Sequence, residues 1–536
     1  MDSLPLVGDR ISLSGYLATV KYVGNVENTT GIWIGVEWDS PERGKHDGVK
    51  DGKRYFSCRF PRAGSFIRPS PQVLRGVSFL QALKSKYVEE FYGTFSQEKV
   101  ILGSSNGAIE VEAVNLDKIR GKFANLARLR EVSLENELVA TVDEPGSIRE
   151  TCPNVRGLDL SRSLLPSWTA IAEIAAELPA LQRLALNWNR FPEGPLGVSK
   201  MSSAFLNLTD LQLNGTFISW QALHQVTSFM PNLLSVELGH NGLCFLEPGN
   251  PNIGADSLIS SINLEGNQCR EWTRICQSMN LYKNLERLIL TSNEIDRIPP
   301  PTHNDSPSLN ALKHLSLNLN NLNSWNDLDA LSLWCPSLIS LTLSGNPLVE
   351  SGNEVRYTRP FIIVRIPTLS ILDSTAVSTK ERIDSELLYL SYISQRFSND
   401  ESGSGLAQLT REHPRWEELS KKHGTTLSTS GNTGSHQDRL SRKLFEVLVW
   451  RVAVSTPAAT TEWINPTTIR ALPSMSLKVF RLKIRKTLSI DKESDFSLWL
   501  KMHDDSWTEL QQVDSHDLDW LGLEAGSQLA CCIKAR

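Results

Sequence analysis

The 536-residue chain has no run of about 18 uncharged apolar residues, so no segment is suited to cross a membrane as a helix. Its opening residues, MDSLPLVGDR, lack the basic start and apolar run of a secretory signal. Cysteine is sparse. The eight residues are scattered, with no CxxC pair and no spaced histidine pair nearby. That pattern excludes a zinc finger and reads as reduced thiols of a cytosolic protein. Matches to the glycosylation pattern, such as those at Asn28 and Asn207, carry no weight in a protein that is not secreted. Charge of one sign is also missing. With 55 basic and 60 acidic residues the net charge is −5, which speaks against a chain built mainly to hold nucleic acid. No heptad run is long enough for a coiled coil. There is no P-loop, no GxSxG, no HExxH and no metal-spaced Cys/His set, so neither catalysis nor a cofactor or metal is expected.

What is present is too long for one core, and two to four domains are expected. Glycines and aromatics crowd the stretch Gly31–Pro69, around the charged loop Gly44-Lys45-His46-Asp47-Gly48. Glycine at that density implies tight turns, and aromatics held by such turns beside a lysine suggest a recognition groove. Short strands are expected at 10–13, 17–23, 33–36, 55–58 and 65–68, making a small antiparallel barrel or sandwich. Four motifs follow in order: GxWxGVExD, GKxDG, GxxYFxC and GxFIRP. Over about 75 residues they resemble the CAP-Gly family, with His46 where the family pattern has Asn. The resemblance implies binding of a partner's extreme C-terminus, an acidic tail ending in Glu-Glu-Tyr or Glu-Glu-Phe. Trp33, Phe56 and Phe66 would then line a slot for the terminal aromatic. Lys45, His46 and nearby backbone N–H groups would hold the carboxylate, and Arg68 the preceding glutamates. Gly44 and Gly48, on either side of Asp47, would allow close backbone approach.

From residue 129 a template L-x-x-L-x-L-x-x-N recurs. Its leading positions fall at 129, 155, 181, 208, 233, 259, 285, 312 and 338, a spacing of 25 to 27 residues. Asn closes six copies (Asn189, Asn241, Asn267, Asn293, Asn320 and Asn346), while Glu137, Ser163 and Thr216 stand in that position in the other three. This is a leucine-rich repeat solenoid: one short parallel strand per repeat, leucines inward, the Asn side chain bonding the turn that leaves the strand. Nine strands span roughly 40 Å, which suits a protein partner. The concave side, with residues such as Arg183, Asp210, Glu237, Arg287 and His314, is polar and mixed in sign and is the expected second binding surface. Residues 359–373 break the pattern and read as a C-terminal cap.

The expected domains are therefore a CAP-Gly barrel (1–76), a connector with a helix at 77–88 (77–124), the solenoid with its cap (125–396), a Ser/Gly/Thr-rich linker (397–441) and a last domain (442–536). In that last domain, strands at 443–454, 462–464, 497–500 and 528–533 frame an amphipathic helix at 474–488, an order that resembles the ubiquitin-like β-grasp fold. The chain ends Ile533-Lys534-Ala535-Arg536 without a Gly-Gly pair, so conjugation is not expected. The fold class is thus multidomain: an all-β barrel, an α/β solenoid and an α+β β-grasp domain. The three-domain order resembles the tubulin-folding cofactor E family. That resemblance implies a cytoplasmic, cytoskeleton-associated protein that binds α-tubulin and works with cofactors B, C and D in assembly and dissociation of the αβ heterodimer, with no nucleic acid or membrane as partner. The ubiquitin-like domain would recruit another cofactor or the proteasome. The alternative is a microtubule-associated CAP-Gly adaptor that remodels no dimer.

Overall fold

In the computed structural model, the described residues are 4–88, 100–102, 109–111, 126–192, 201–247, 257–301, 308–350, 355–397, 412–424, 444–452, 457, 465–491, 494–502, 506–510 and 516–533. They divide into two compact units, residues 1–426 and 427–536.

Alternating apolar residues in the first 75 positions build a five-stranded antiparallel sheet. Its order is Gly64–Ile67, Ile32–Trp38, Tyr16–Asn25, Arg10–Leu13, Val73–Leu74. Ile11, Ala18, Val20, Ile34 and Val36 are fully buried and form its core. The expected strand at 55–58 is absent. Only Lys53–Arg54 pairs there, with Val49–Lys50, and the chain then runs as an irregular loop that carries Phe56 across the sheet edge.

The repeats give nine parallel strands of three residues each, from Glu131–Ser133 to Ser340–Thr342, in unbroken one-to-one register. The central residue of each strand, such as Leu184, Leu288 and Leu341, is buried because the pleat turns it into the shared core. The Asn residues form an internal ladder. Asn293 is fully buried; its Nδ2 donates to the carbonyls of Leu264 (2.8 Å) and Thr291 (3.2 Å), and its Oδ1 accepts from the Cys269 amide (3.1 Å). Ser163 and Thr216 fill the same place by bonding to Asn189 and Asn241 of the next repeat. The residue one position before each ladder position turns the chain out of the strand with positive φ, from Asn136 at 62° to Gly345 at 77°. On the opposite flank, four helices begin with tryptophan: Trp168, Trp220, Trp272 and Trp325.

Both ends of the solenoid are sealed. Residues 77–88, expected in a connector, belong to its first rung. Val77–Ser78 pairs in parallel with Val139–Thr141, and the helix Phe79–Tyr87 buries Phe79 and Leu83 in the solenoid core. At the far end, helices Val355–Arg365 and Thr379–Phe397 close the last repeat. A further helix, Trp416–His423, lies inside the span expected as a linker. It docks there because Leu419 is fully buried against Phe361, Val364 and Tyr389, and because Glu386, 2% exposed, receives both Lys422 and His423 at 2.7 Å.

The barrel is docked on the solenoid. Phe60 meets Phe217 edge to face with centroids 4.9 Å apart, and the Arg190 guanidinium lies 4.5 Å over Phe217. Asp39 accepts two bonds from Arg10 within the barrel (2.6 and 2.5 Å) and lies 3.9 Å from Arg190.

In the second unit the helix Leu477–Thr487 packs on a five-stranded sheet in the order Thr467–Ala471, Phe445–Val452, Gln528–Ile533, Phe496–Lys501, Trp507–Glu509. The central pair is parallel and the rest antiparallel, the β-grasp arrangement. Residues 462–464, expected as a strand, lie outside the described residues, and the strand found next to them begins at Thr467.

Candidate binding groove of the N-terminal barrel

Phe66 stands at the centre of the groove. Five rings surround it, those of Tyr22, Trp33, His46, Tyr55 and Phe56, with centroids 5.1 to 6.4 Å away and mostly edge to face. The sheet brings them together: Tyr22 is paired with Gly35, and Gly35 with Phe66, across three strands. Phe66, Trp33, His46, Tyr22 and Tyr55 are half-buried, so their faces and edges are reachable, whereas Phe56 is buried and forms the floor. Trp33, Phe56 and Phe66 thus do sit together, and two tyrosines join them that the motif reading did not place in the groove. Trp38, by contrast, belongs to the barrel core, its Nε1 donating to Ser65 Oγ at 3.0 Å.

Glycine is required beneath these rings. A Cβ on Gly35 would come within 2.4 Å of the Phe56 ring, and one on Gly48, where φ is +97°, within 2.1 Å of the Phe56 carbonyl. Gly44 is held equally close, 2.0 Å from the Arg62 carbonyl by the same measure.

The 44–48 loop is pinned from both sides. The amides of Lys45 and His46 donate to the Gly64 carbonyl (2.8 and 3.1 Å), and the Gly64 amide donates back to His46 (2.6 Å). His46 Nδ1 accepts from the Gly48 amide at 3.0 Å. The neutral ring therefore carries its proton on Nε2, and burial lowers its pKa below the ordinary histidine value. Asp47 is held by Arg54 at 2.7 Å, and that bond lowers the carboxyl pKa; Arg54 also donates to the Asp47 carbonyl at 3.1 Å. Asp47 thus ties the loop in place and does not face the rings. Lys45 is exposed at the loop's tip.

Cations border the aromatic cluster on its other side. The Arg68 guanidinium lies 3.7 Å over Trp33 and donates to the Thr30 carbonyl at 2.5 Å, and Lys50 sits 5.6 Å over the same indole. Lys53 lies 5.4 Å over Tyr55 and is paired with Glu27. Lys50, Lys53 and Arg54 lie outside the GKxDG motif but in the same loop region, and their signal in the sequence was only their density. Residues 7–71 hold ten basic against seven acidic side chains in a chain whose net charge is −5. The arrangement offers an apolar slot of half-exposed rings rimmed by cations; the Lys45, His46 and Gly48 amides expected to meet a carboxylate are instead engaged within the loop and with Gly64.

A family model for the CAP-Gly domain matches residues 7–71. Bovine tubulin-specific chaperone E is 33% identical over 433 residues, covering 78% of this chain and 79% of its own. The human protein of the same name is 33% identical over 437 residues, with the same coverage. This chain belongs to the tubulin-specific chaperone E family. The similarity reaches plants, where the Arabidopsis thaliana tubulin-folding cofactor E is 28% identical over 504 residues, 91% of this chain. Among solved structures, a Listeria monocytogenes internalin matches 55% of this chain with a TM-score of 0.31 and 16% identity. The solenoid assignment rests on the strand ladder and not on that likeness. Within the tubulin-specific chaperone E family, this chain has imidazole at position 46, and the ring completes the cluster around Phe66.

Proposed function

We propose that this chain is a tubulin-folding cofactor that grips α-tubulin at two points. The observation that carries the reading is the half-exposed ring cluster around Phe66, rimmed by Lys45, Lys50 and Arg68. The slot takes the terminal aromatic of an acidic tail, Lys45 and the Nε2–H of His46 take its carboxylate, and the surrounding cations take the glutamates before it. Trp33, Phe66, Lys45 and His46 are the residues proposed to touch the tail. Gly44, Gly48, Asp47 and Phe56 hold the groove open. Arg68 works through the Trp33 face.

The concave side of the solenoid holds the folded body of tubulin. Linking a weak tail site to a second site raises the effective concentration at the second. Binding that favours the separated subunit over the heterodimer shifts the equilibrium toward dissociation, and run in reverse the same preference assists assembly. The companions in that cycle are cofactors B, C and D, in the cytoplasm and beside the cytoskeleton. The β-grasp domain docks another cofactor or the proteasome.

A pull-down tests the tail half. Removing the terminal tyrosine of α-tubulin, or making Phe66→Ala, is expected to weaken capture at least tenfold; binding unchanged by both sinks it. Co-sedimentation separates the cofactor from an adaptor. A cofactor stays in the supernatant with free tubulin, and pelleting with stabilised microtubules overturns the chaperone reading.

A further inference from the structure

The positive-φ column along the solenoid edge is the conformation glycine adopts freely and bulky side chains resist. Glycine does occupy it at 215, 266 and 345. Yet Arg162, Trp188 and His240 hold it too, with φ of 52°, 60° and 57°. The turn sets this conformation in every repeat; what is particular here is the exposed side chains it presents.

The large and small residues fit each other. Trp188 lies over Gly215, where a Cβ would come within 2.4 Å of the indole, and His240 lies over Gly266, where one would come within 2.3 Å of the imidazole. The two rings are nearly parallel, 17° apart with centroids 6.3 Å from each other, and the Arg162 guanidinium sits 5.9 Å from the indole on the other side. All three side chains are exposed. The result is a preset shelf of flat surfaces with a cation at its end.

The shelf begins where the barrel is docked. The carbonyl of Gly215 accepts from Arg190 at 2.6 Å, and Arg190 covers Phe217, which packs on Phe60. Arg59, three residues after the groove floor Phe56, lies 5.5 Å over the same Phe217.

We propose that the shelf of Arg162, Trp188 and His240 holds the acidic segment upstream of the aromatic terminus seated in the groove. This rests on the groove reading above. The chemistry selects an acidic, extended peptide. Its carboxylates pair with Arg162, and its peptide planes and side-chain stems lie on the exposed indole face. The continuity of shelf and barrel contact gives the segment one path.

Fluorescence anisotropy on the full chain decides it, with two labelled Glu/Gly-rich peptides of about five and about fourteen residues, both ending in Glu-Glu-Tyr. The longer peptide is expected to bind about tenfold tighter at low salt. Trp188→Ala and Arg162→Glu should each remove most of that gain while leaving the shorter peptide within about twofold. Two substitutions of different kinds, one removing a ring and the other reversing a charge, guard against a variant that merely misfolds. A longer peptide that binds no tighter than the shorter, or that binds both variants as it binds the original chain, overturns the proposal. Failure of the shorter peptide to bind at all instead removes the groove reading, and the shelf is then judged by whether the two variants weaken the longer one.

Discussion

His46 shows how one side chain sets the behaviour of a loop. Its Nδ1 accepts from the Gly48 amide, and an imidazole that gains a second proton has no lone pair left to accept with. Because burial lowers its folded pKa, the unfolded chain binds the extra proton first as the pH falls. Stability from this group is therefore full well above the ordinary histidine value, near 6.5, and declines as the pH drops below it. NMR titration is expected to place the His46 midpoint below that of a free histidine, with the Gly48 amide losing its exchange protection over the same range. A midpoint at or above the free value contradicts the account. His46→Asn, which keeps an acceptor without a titration, should abolish the pH dependence. At this scale the sequence was legible where residues lie close together in the motif: Lys45, His46 and Phe66 stand where the pattern puts them. Tyr22 was not, because only the pairing of three strands brings it to Phe66 across 44 positions.

At the scale of elements, the 25-to-27-residue spacing predicts the ladder rung by rung, since each repeat needs the same inward leucines and the same turn bond. Asn293→Ala leaves the Cys269 amide without its partner inside the core, while the Leu264 carbonyl keeps its bond from Asn267. A buried donor so stranded costs about 1–3 kcal/mol, and a loss of that size is expected, read as a lower urea midpoint. A loss under about 1 kcal/mol, within the range of one ordinary net hydrogen bond, would mean that water replaces the bond. One element escaped the sequence reading, and another was legible only as a polar helical turn or two at 411–423 within a linker, both for physical reasons. Tyr55–Cys58 alternates like a strand but has no edge to pair with, because the loop is already tied by Arg54 and Gly48. The helix Trp416–His423 is polar over most of its surface, and the single buried Leu419 together with two bonds to Glu386 suffices to dock it.

On the scale of the whole chain, the decisive contact is between barrel and solenoid, and it was invisible in the sequence. Asp39, Phe60, Arg190 and Phe217 each look like ordinary surface residues of their own domain. Burial lowers the Arg190 pKa to about 10, so the guanidinium stays charged at neutral pH and keeps its attraction to Asp39. Phe217→Ser removes the ring that Phe60 and both arginines share. Surface plasmon resonance is then expected to show intact tubulin bound roughly tenfold more weakly while a short tail peptide binds as before, because only the geometric coupling is lost. Equal weakening of both ligands would show that the groove itself had been damaged.

Asp39 also bears on how the protein is made. Its carboxylate has two arginine neighbours, one within the barrel and one 151 positions later. On the ribosome the barrel emerges first, and at about 5–20 residues per second roughly ten to thirty seconds pass before Arg190 follows. Throughout that interval Arg10 alone neutralises Asp39, with both carboxylate oxygens bonded. The newborn barrel thus waits with its docking surface free of an orphan charge, ready for the solenoid to arrive.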